Sequence, residues 1–353
     1  MWISNEWQDF EILDASAGER LERWGKYILV RPDPQVIWDT EKKHPGWKKP
    51  NGVYHRSAKG GGEWEIFKLP EEWSISYKEL SFRLKPFSFK HTGLFPEQAT
   101  NWDWIGGIVR DRIAHDTEIK RGNPKQATNR DDGAAAQERS GGASNKYRDA
   151  AAQDSTGGAS NKYRDAAAQD STGGANSNNA AAPRILNLFA YTGGATLAAS
   201  AAGAEVTHLD ASKGMVTWAR ENAEGSGLGE RPIRWLVDDC VKFVERELRR
   251  GKRYDGIIMD PPSYGRGPKG EIWKMEEQIY DLLKKCAGLL SEEPLLFLLN
   301  AYSTGIQPGV LQYILESALP KTGHRKVEAG ELGLPVASTS LILPCGISGR
   351  VTF

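Results

Sequence analysis

The chain has 353 residues, which at roughly one domain per 100 to 200 residues excludes a single small module and allows two or three compact units. Its 46 Lys and Arg balance 46 Asp and Glu, so no global basic field draws it onto nucleic acid. The 3 cysteines, Cys240, Cys286 and Cys345, form no Cys-x-x-Cys pair or Cys/His cluster. That excludes a zinc ribbon or a disulfide framework, points to a reducing compartment and leaves no metal expected.

The first residues, Met-Trp-Ile-Ser-Asn-Glu-Trp, have neither a basic n-region nor a long apolar h-region, so a cytoplasmic location is expected. The most apolar windows, such as Pro294 to Asn300, fall far short of the roughly 20 residues that cross a bilayer. No membrane partner is expected.

Composition divides the chain into parts. Of the 12 tryptophans, 9 lie between Trp2 and Trp104. Alternating runs at Lys26 to Arg31, Gly62 to Lys68 and Glu79 to Leu84 suit half-buried strands separated by Pro/Gly/Asn turns. Residues 1–79 are therefore read as a small β-rich domain, and 80–121 as a hairpin and connecting segment. From Gly141 to Thr156 the chain carries 16 residues that recur unchanged from Gly157 to Thr172. Each copy offers one Tyr and no apolar stripe, so stacking would bury almost nothing against the entropy of ordering the chain. Residues 122–182 are read as a flexible low-complexity insert, with RNA binding through Lys146, Tyr147, Arg148 and their copies as the rival reading.

Beyond Pro183, apolar runs alternate with amphipathic helical segments. Ile185 to Phe189, Glu205 to Asp210, Ile233 to Val237, Tyr254 to Asp260 and Leu295 to Asn300 read as strands. Strand and helix in alternation, with strands rich in Ile, Leu and Val, predict a doubly wound, mostly parallel sheet over 183–353. Ligands of such sheets bind beyond the carboxyl ends of the strands, so strand tips are where chemistry is to be sought.

The first strand runs into Phe189-Ala190-Tyr191-Thr192-Gly193-Gly194 and then an Ala-rich helix. Small residues permit a tight turn, and helix-start amides attract a carboxylate or phosphate. Alone, such a turn is more often plain turn chemistry. Neither G-x-G-x-x-G nor a P-loop is present. The second strand ends at Asp210, about 20 residues after the glycines, where an acid can accept from both hydroxyls of a ribose; capping the helix that follows, through Ser212, is the alternative. The third runs into Asp238-Asp239-Cys240, acids placed to accept from an adenine amino group or to cap the next helix. The fourth ends in Asp260-Pro261-Pro262-Ser263-Tyr264. Two prolines remove backbone donors and fix φ, leaving acceptors in a stiff arrangement that can orient a planar base.

Taken together, Asn187 to Gly194, Asp210, Asp238-Asp239 and Asp260 to Tyr264 resemble class I S-adenosylmethionine (SAM)-dependent methyltransferases, most closely the bacterial 23S ribosomal RNA large-subunit methyltransferase family. Its members carry a hairpin and loop before the catalytic domain, matched here by Lys90 to Gln98. Their usual Asp-Gln-Arg is replaced by Glu97-Gln98-Ala99, so that arginine is missing. The resemblance covers about 81–101 and 184–353 and implies a seven-stranded Rossmann-like sheet with SAM as cofactor. It implies that Phe189, Ala190, Tyr191, Thr192, Gly193 and Gly194 hold the methionine moiety, and that Asp210 with Ala211 and Ser212 takes the ribose. Asp239 with Cys240 is then expected at the adenine and Gln98 at the cofactor, while Asp260, Pro261, Pro262 and Tyr264 face the acceptor.

Family members that methylate cytosine carbon 5 place a Cys at the end of the fifth strand. Tyr302 stands there in this chain, which favours a base nitrogen as acceptor, with Tyr264 or Tyr302 stacking on the base. Two basic clusters, Lys242 to Arg253 and Lys42 to Lys49 around Trp47, are candidate RNA contacts or solvated faces. The leading expectation is methyl transfer to RNA, ribosomal RNA in particular. A small-molecule or protein acceptor, or a non-catalytic RNA-binding assembly factor, are the alternatives.

Overall fold

In the computed structural model, residues 1–57, 61–87, 90–122, 182–266, 272–303 and 305–353 are described. The repeats, and the flexibility or RNA binding expected of them, lie outside these residues. Met1–Ala114 and Ala182–Phe353 form one compact unit; His115–Ala181 form a second, whose described part is the end of one helix.

In chain order, the first part comprises β1 (Trp2–Ile3), β2 (Phe10–Ser16), β3 (Glu19–Trp24), β4 (Tyr27–Pro32), β5 (Gly52–Arg56), β6 (Gly62–Ile66), β7 (Trp73–Tyr77), β8 (Leu80–Leu84) and α1 (Ala99–Gly122). Next come β9 (Arg184–Leu188), α2 (Gly194–Ala201), β10 (Glu205–Asp210), α3 (Lys213–Gly225), β11 (Ile233–Val237) and α4 (Cys240–Arg249). The chain continues through β12 (Gly256–Met259), β13 (Tyr264–Arg266), β14 (Ile272–Lys274), α5 (Met275–Ala287), β15 (Leu296–Ala301), α6 (Pro308–Ala318), β16 (Lys326–Pro335) and β17 (Ile342–Thr352).

Strands β2 to β6 make a five-stranded sheet in sequence order, and β7 and β8 a hairpin. The large sheet has eight strands in the order β1-β16-β17-β15-β12-β9-β10-β11. Neighbours from β11 to β15 are parallel, and β17 runs antiparallel to both β15 and β16. The expected seven Rossmann-like strands are thus joined by an eighth from the far N-terminal side of the sequence. Two residues, Trp2 and Ile3, pair in parallel with Leu332 and Gly333 of β16 and cover what would otherwise be an open edge. So short a strand carries no periodicity to read.

Alternate residues of the central strands point to opposite faces. Leu186, Leu188, Ile257, Met259, Phe297 and Leu299 pack against α4, α5 and α6 through residues such as Phe243, Leu282 and Leu311. Ile185, Val206, Ile258, Leu296 and Leu298 pack the other way, against Ile105 and Val109 of α1 and Ala199 of α2. Both faces being covered explains the unbroken apolar runs. β11, at the edge, is the exception, with only partly buried or exposed residues. A third core joins Phe10, Trp24, Trp73 and Phe82 of the first part to Trp102, Leu197 and Ala223. Trp24, Trp73 and Trp102 are core residues, which is where apolar indole area usually goes.

Candidate active site

The cleft lies beyond the carboxyl ends of β9, β12 and β15, under the segment Leu94 to Gln98. Its walls include Phe95, Gln98, the turn Phe189 to Thr192, Gly194, Asp260 and Asn300.

The turn after β9 is held in a costly conformation. Phe189 (φ 56°), Tyr191 (φ 50°) and Gly193 (φ 91°) are all left-handed, at roughly 1 kcal/mol or more for each of the two side-chain-bearing residues. Neighbours impose it. Ala190 N donates to Leu209 O (3.0 Å) and Gly193 N to Ala190 O (3.0 Å). Tyr191 N donates to Asp210 Oδ2 (2.9 Å), Thr192 Oγ1 to Gly93 O (2.6 Å) and Asn222 Nδ2 to Thr192 O (2.9 Å). The chain thereby leaves β9 so that α2 starts at Gly194 with no side-chain cap. First-turn amides of such a helix have no intrahelical partner and suit a carboxylate. Gly194 is also required sterically, since a Cβ there would lie 2.5 Å from Trp102 Cζ2.

Asp210 closes β10. Its Oδ1 accepts from Ser212 N (2.8 Å) while Oδ2 takes Tyr191 N, so the carboxylate locks the turn to the β10 tip. Burial pushes its pKa up, against the two backbone bonds that lower it. The helix cap is Ser212, whose Oγ accepts from Met215 N, so Asp210 is not spent on capping. Ala211 and Ser212 are exposed beside it.

At the β11 tip the division of labour differs. Asp239 caps α4, its Oδ1 accepting from Lys242 N (2.9 Å). Asp238 accepts from Asp239 N and pairs with Arg246. Cys240 is 5% exposed, its thiol directed inward. Burial raises the pKa of all three thiols, Cys240, Cys286 and Cys345, so none is a ready thiolate.

At the β12 tip, Asp260 lines the cleft together with Asn300. Its pKa is pushed up to about 7, first by burial and then by the Glu97 charge, against a hydrogen bond from Asn300. Pro261 is buried and Pro262 exposed. The Pro262 carbonyl accepts from Trp273 Nε1 (2.7 Å), and the Trp273 ring packs on Phe189 at 5.5 Å. Tyr264 is 50% exposed and pairs with Lys274 in the β13/β14 hairpin.

Two expected residues have other partners. Tyr302 Oη lies between Gln98 Nε2 (2.8 Å) and Glu97 Oε1 (3.1 Å), with its ring 5.7 Å from Phe95. The Gln98 amide is engaged by Tyr302, Asn101 and Asn300. Sequence reasoning missed Phe95, which packs on Tyr191 at 5.5 Å, as well as Trp273 and the buried network behind Asp260. The only signal for that network was Phe95-Pro96-Glu97-Gln98 opening a helix with Asn101 one turn on.

The segment carrying Glu97 is held by the first part of the chain. Arg31 grips the buried Glu22 through Nε (2.5 Å) and Nη2 (2.8 Å) and donates Nη1 to Lys90 O (2.9 Å). Arg20 and Arg31 overcome the burial of Glu22 and lower its pKa to about 2. The basic clusters are partly neutralised: Arg250 meets Glu247, Arg246 meets Asp238, and Lys42 meets Glu19 while lying 4.1 Å over the Trp47 ring.

A doubly wound sheet with this strand order, a glycine turn after its first strand and acids on the next tips defines a class I SAM-dependent methyltransferase domain. Residues 173–308 match the family described as S-adenosylmethionine-dependent methyltransferase. Over its whole length the chain is similar to the crystal structure of the SAM-dependent methyltransferase from Agrobacterium tumefaciens, with 28% identity, a TM-score of 0.74, and 99% of this chain and 92% of that one covered. It is 31% identical over 123 residues to the ribosomal RNA large subunit methyltransferase K of Neisseria meningitidis, covering 34% of this chain and 35% of the relative. Over 89 residues it is 36% identical to the ribosomal RNA large subunit methyltransferase I of Aeromonas salmonicida, covering 25% and 22%. The chain thus spans about a third or less of the length of these curated relatives.

The residues fit the family's cofactor. An uncapped helix start suits the methionine carboxylate, and a carboxylate held by two backbone amides at the β10 tip suits a ribose diol. Among the described residues, no helix is long and apolar enough to cross a membrane, and no cluster of His, Cys, Asp or Glu could hold a metal.

Proposed function

We propose that this protein transfers a methyl group from SAM to a base nitrogen of RNA, ribosomal RNA in particular. The observation that carries the reading is the Asp260 carboxylate in the same cleft as the Phe189 to Gly194 turn. Curated relatives named as ribosomal RNA methyltransferases support the acceptor class. Bound SAM would supply an electrophilic methyl on a sulfonium. Phe189 to Gly194 would hold its methionine end, Asp210 with Ala211 and Ser212 the ribose, Asp239 and Cys240 the adenine edge, and Gln98 the cofactor side of the cleft.

Asp260, Pro261, Pro262 and Tyr264 would receive the acceptor. Alignment is the chain's main task, because a nitrogen lone pair needs only to be brought into line with the methyl at about 3 to 3.5 Å. A carboxyl poised near neutrality suits a base that takes the departing proton. The absence of a ready thiolate speaks against carbon 5 of cytosine. A duplexed base must leave its stack to enter the cleft, and Tyr264, half exposed in the β13/β14 hairpin that follows Asp260, would receive it. In domain terms, residues 1–79 would be the β-rich module, 80–121 the connector, 122–182 the insert and 183–353 the catalytic part.

The test is transfer of labelled methyl from SAM to ribosomal RNA from a strain lacking the gene, with modification maps of RNA from both strains. One methyl mark missing in the deletion and restored by the protein supports the reading. An unchanged map with no labelled RNA refutes it.

A further inference from the structure

The segment over the cleft is tied to side chains from the far end of the sequence. The Pro96 carbonyl accepts the Ala99 N–H of its own turn and two further bonds, from Ser4 Oγ (2.8 Å) and Trp7 Nε1 (2.9 Å), 92 and 89 residues earlier. Ser4 is 4% exposed and Pro96 is buried, so water does not compete freely for these bonds. Ser4 is itself fixed to the large sheet. It follows β1, whose two residues pair with β16, and its N–H donates to Gly333 O (2.9 Å).

What these bonds hold is a wall of the cofactor cleft. Phe95 precedes Pro96, and its ring lies 5.5 Å from Tyr191 and 5.7 Å from Tyr302. Two residues further back, Gly93 O takes the Thr192 hydroxyl. The segment is therefore fastened to the cofactor turn at Gly93 and to the N-terminal residues at Pro96. Its only regular structure is the three-residue turn Pro96–Gln98, which has no side-chain cap, so its place depends on partners from outside. The Trp7 ring also lies 6.0 Å from Trp102, the ring that faces Gly194 at the start of α2.

A third tie runs through Trp2, whose ring lies 4.0 Å from the Arg350 guanidinium. Arg350 Nε donates to Asn101 Oδ1 (2.8 Å), which turns Asn101 Nδ2 to Gln98 Oε1 (2.7 Å) and Ser348 Oγ (2.9 Å). Ser348 Oγ donates in turn to Asn300 Oδ1 (2.6 Å). Gln98 and Asn300 both line the cleft.

We propose that Trp2 to Trp7 brace the cofactor cleft, with Ser4 and Trp7 as positioning residues that set the affinity for SAM by holding Phe95 against the Phe189 to Gly194 turn. The inference rests on SAM occupying this cleft and is independent of the acceptor. A wall that must be ordered at the moment of binding lowers affinity by the fraction of molecules in which it is out of place.

The experiment uses the full chain and the demethylated product of SAM as probe, in isothermal titration. Ser4→Ala with Trp7→Phe removes both donors while a ring stays at position 7, and should weaken binding about tenfold. In a Phe95→Ala background the same two substitutions should change affinity by less than threefold, because the group they position is gone. A lower melting temperature with affinity within threefold of the original overturns the brace, as does an undiminished tenfold effect without Phe95. A second measurement needs no variant. Coupling is reciprocal, so saturating probe should slow hydrogen exchange of the Ser4 amide in the unsubstituted protein by a similar factor. Unchanged exchange overturns the brace even if the double variant does not fold. If the unsubstituted protein binds no probe, the cofactor assignment fails and the brace with it; binding that the double variant retains refutes the brace alone.

Discussion

The most direct perturbation is Asp210→Asn, read as affinity for SAM or its demethylated product. Asp210 accepts one backbone N–H on each oxygen, and each oxygen keeps a lone pair that can turn to a ribose hydroxyl. A hydrogen bond to a charged acceptor contributes about 1.5 to 3 kcal/mol. Asparagine keeps one acceptor and sets its NH2 against a backbone N–H, so one ribose bond is lost and the other weakened, about 2 to 4 kcal/mol in all. That is roughly a 30- to 700-fold loss of affinity. Isothermal titration calorimetry measures it, with the melting transition as a control for folding. The pH dependence has a definite sign. Burial raises the Asp210 pKa, so the unsubstituted protein should lose affinity as pH falls and the carboxylate takes a proton, while Asp210→Asn stays flat. An affinity within threefold of the original, or the same pH dependence in the variant, would refute the ribose assignment.

Asp260→Asn should stabilise the protein at pH 8. A carboxyl raised from 3.8 to about 7 on folding makes the folded state bind more protons than the unfolded one in that window, so stability falls as pH rises through it. Removing the group should recover up to about 4 kcal/mol at pH 8 and little at pH 4; a lower melting temperature at pH 8 would contradict this. Glu22→Gln should destabilise by about 3 to 5 kcal/mol, because it leaves the buried Arg31 without its anion and Arg20 with Asp33 alone. Glu22 is depressed to about 2, so its contribution is full above its unfolded pKa and is lost as pH falls toward 2, which acid unfolding of both proteins would show. Gly194→Ala should lower stability by about 1 to 3 kcal/mol despite its gain in helix propensity, since its Cβ meets the Trp102 ring. An unchanged or higher melting temperature would show that the ring yields freely.

The parallel sheet was legible because each central strand is buried on both faces and so is written as an apolar run. Leu186 and Ile257 point one way, Ile185 and Ile258 the other. The tips were legible for the complementary reason: an Asp ending such a run has no packing role, so Asp210 and Asp260 stood out. What stayed hidden is what needs three dimensions. Gln98 and Asn300 meet although 202 residues separate them, and neither has a neighbour in sequence that announces the other. Trp2 reads as one more aromatic until its pairing with β16 sets it over Arg350 of β17. The capping alternative was left open at both acidic tips. Geometry divides it, with Ser212 capping α3 and Asp239 capping α4, because only a side chain one residue before the first helical turn can reach its amides.

The bonds linking Asn101 to Ser348 and Arg350 span 247 and 249 residues of sequence, and no shorter stretch of chain contains their parts. Contacts so remote form late, after local helices and hairpins, because the closure entropy of the intervening chain must first be overcome. A half-folded molecule with its glycine turn already shaped would therefore still lack an oriented Asn300. Nascent or partly unfolded copies would carry the shaped turn without Asn300 fixed beside it, and the cleft would be complete only once β17 docks.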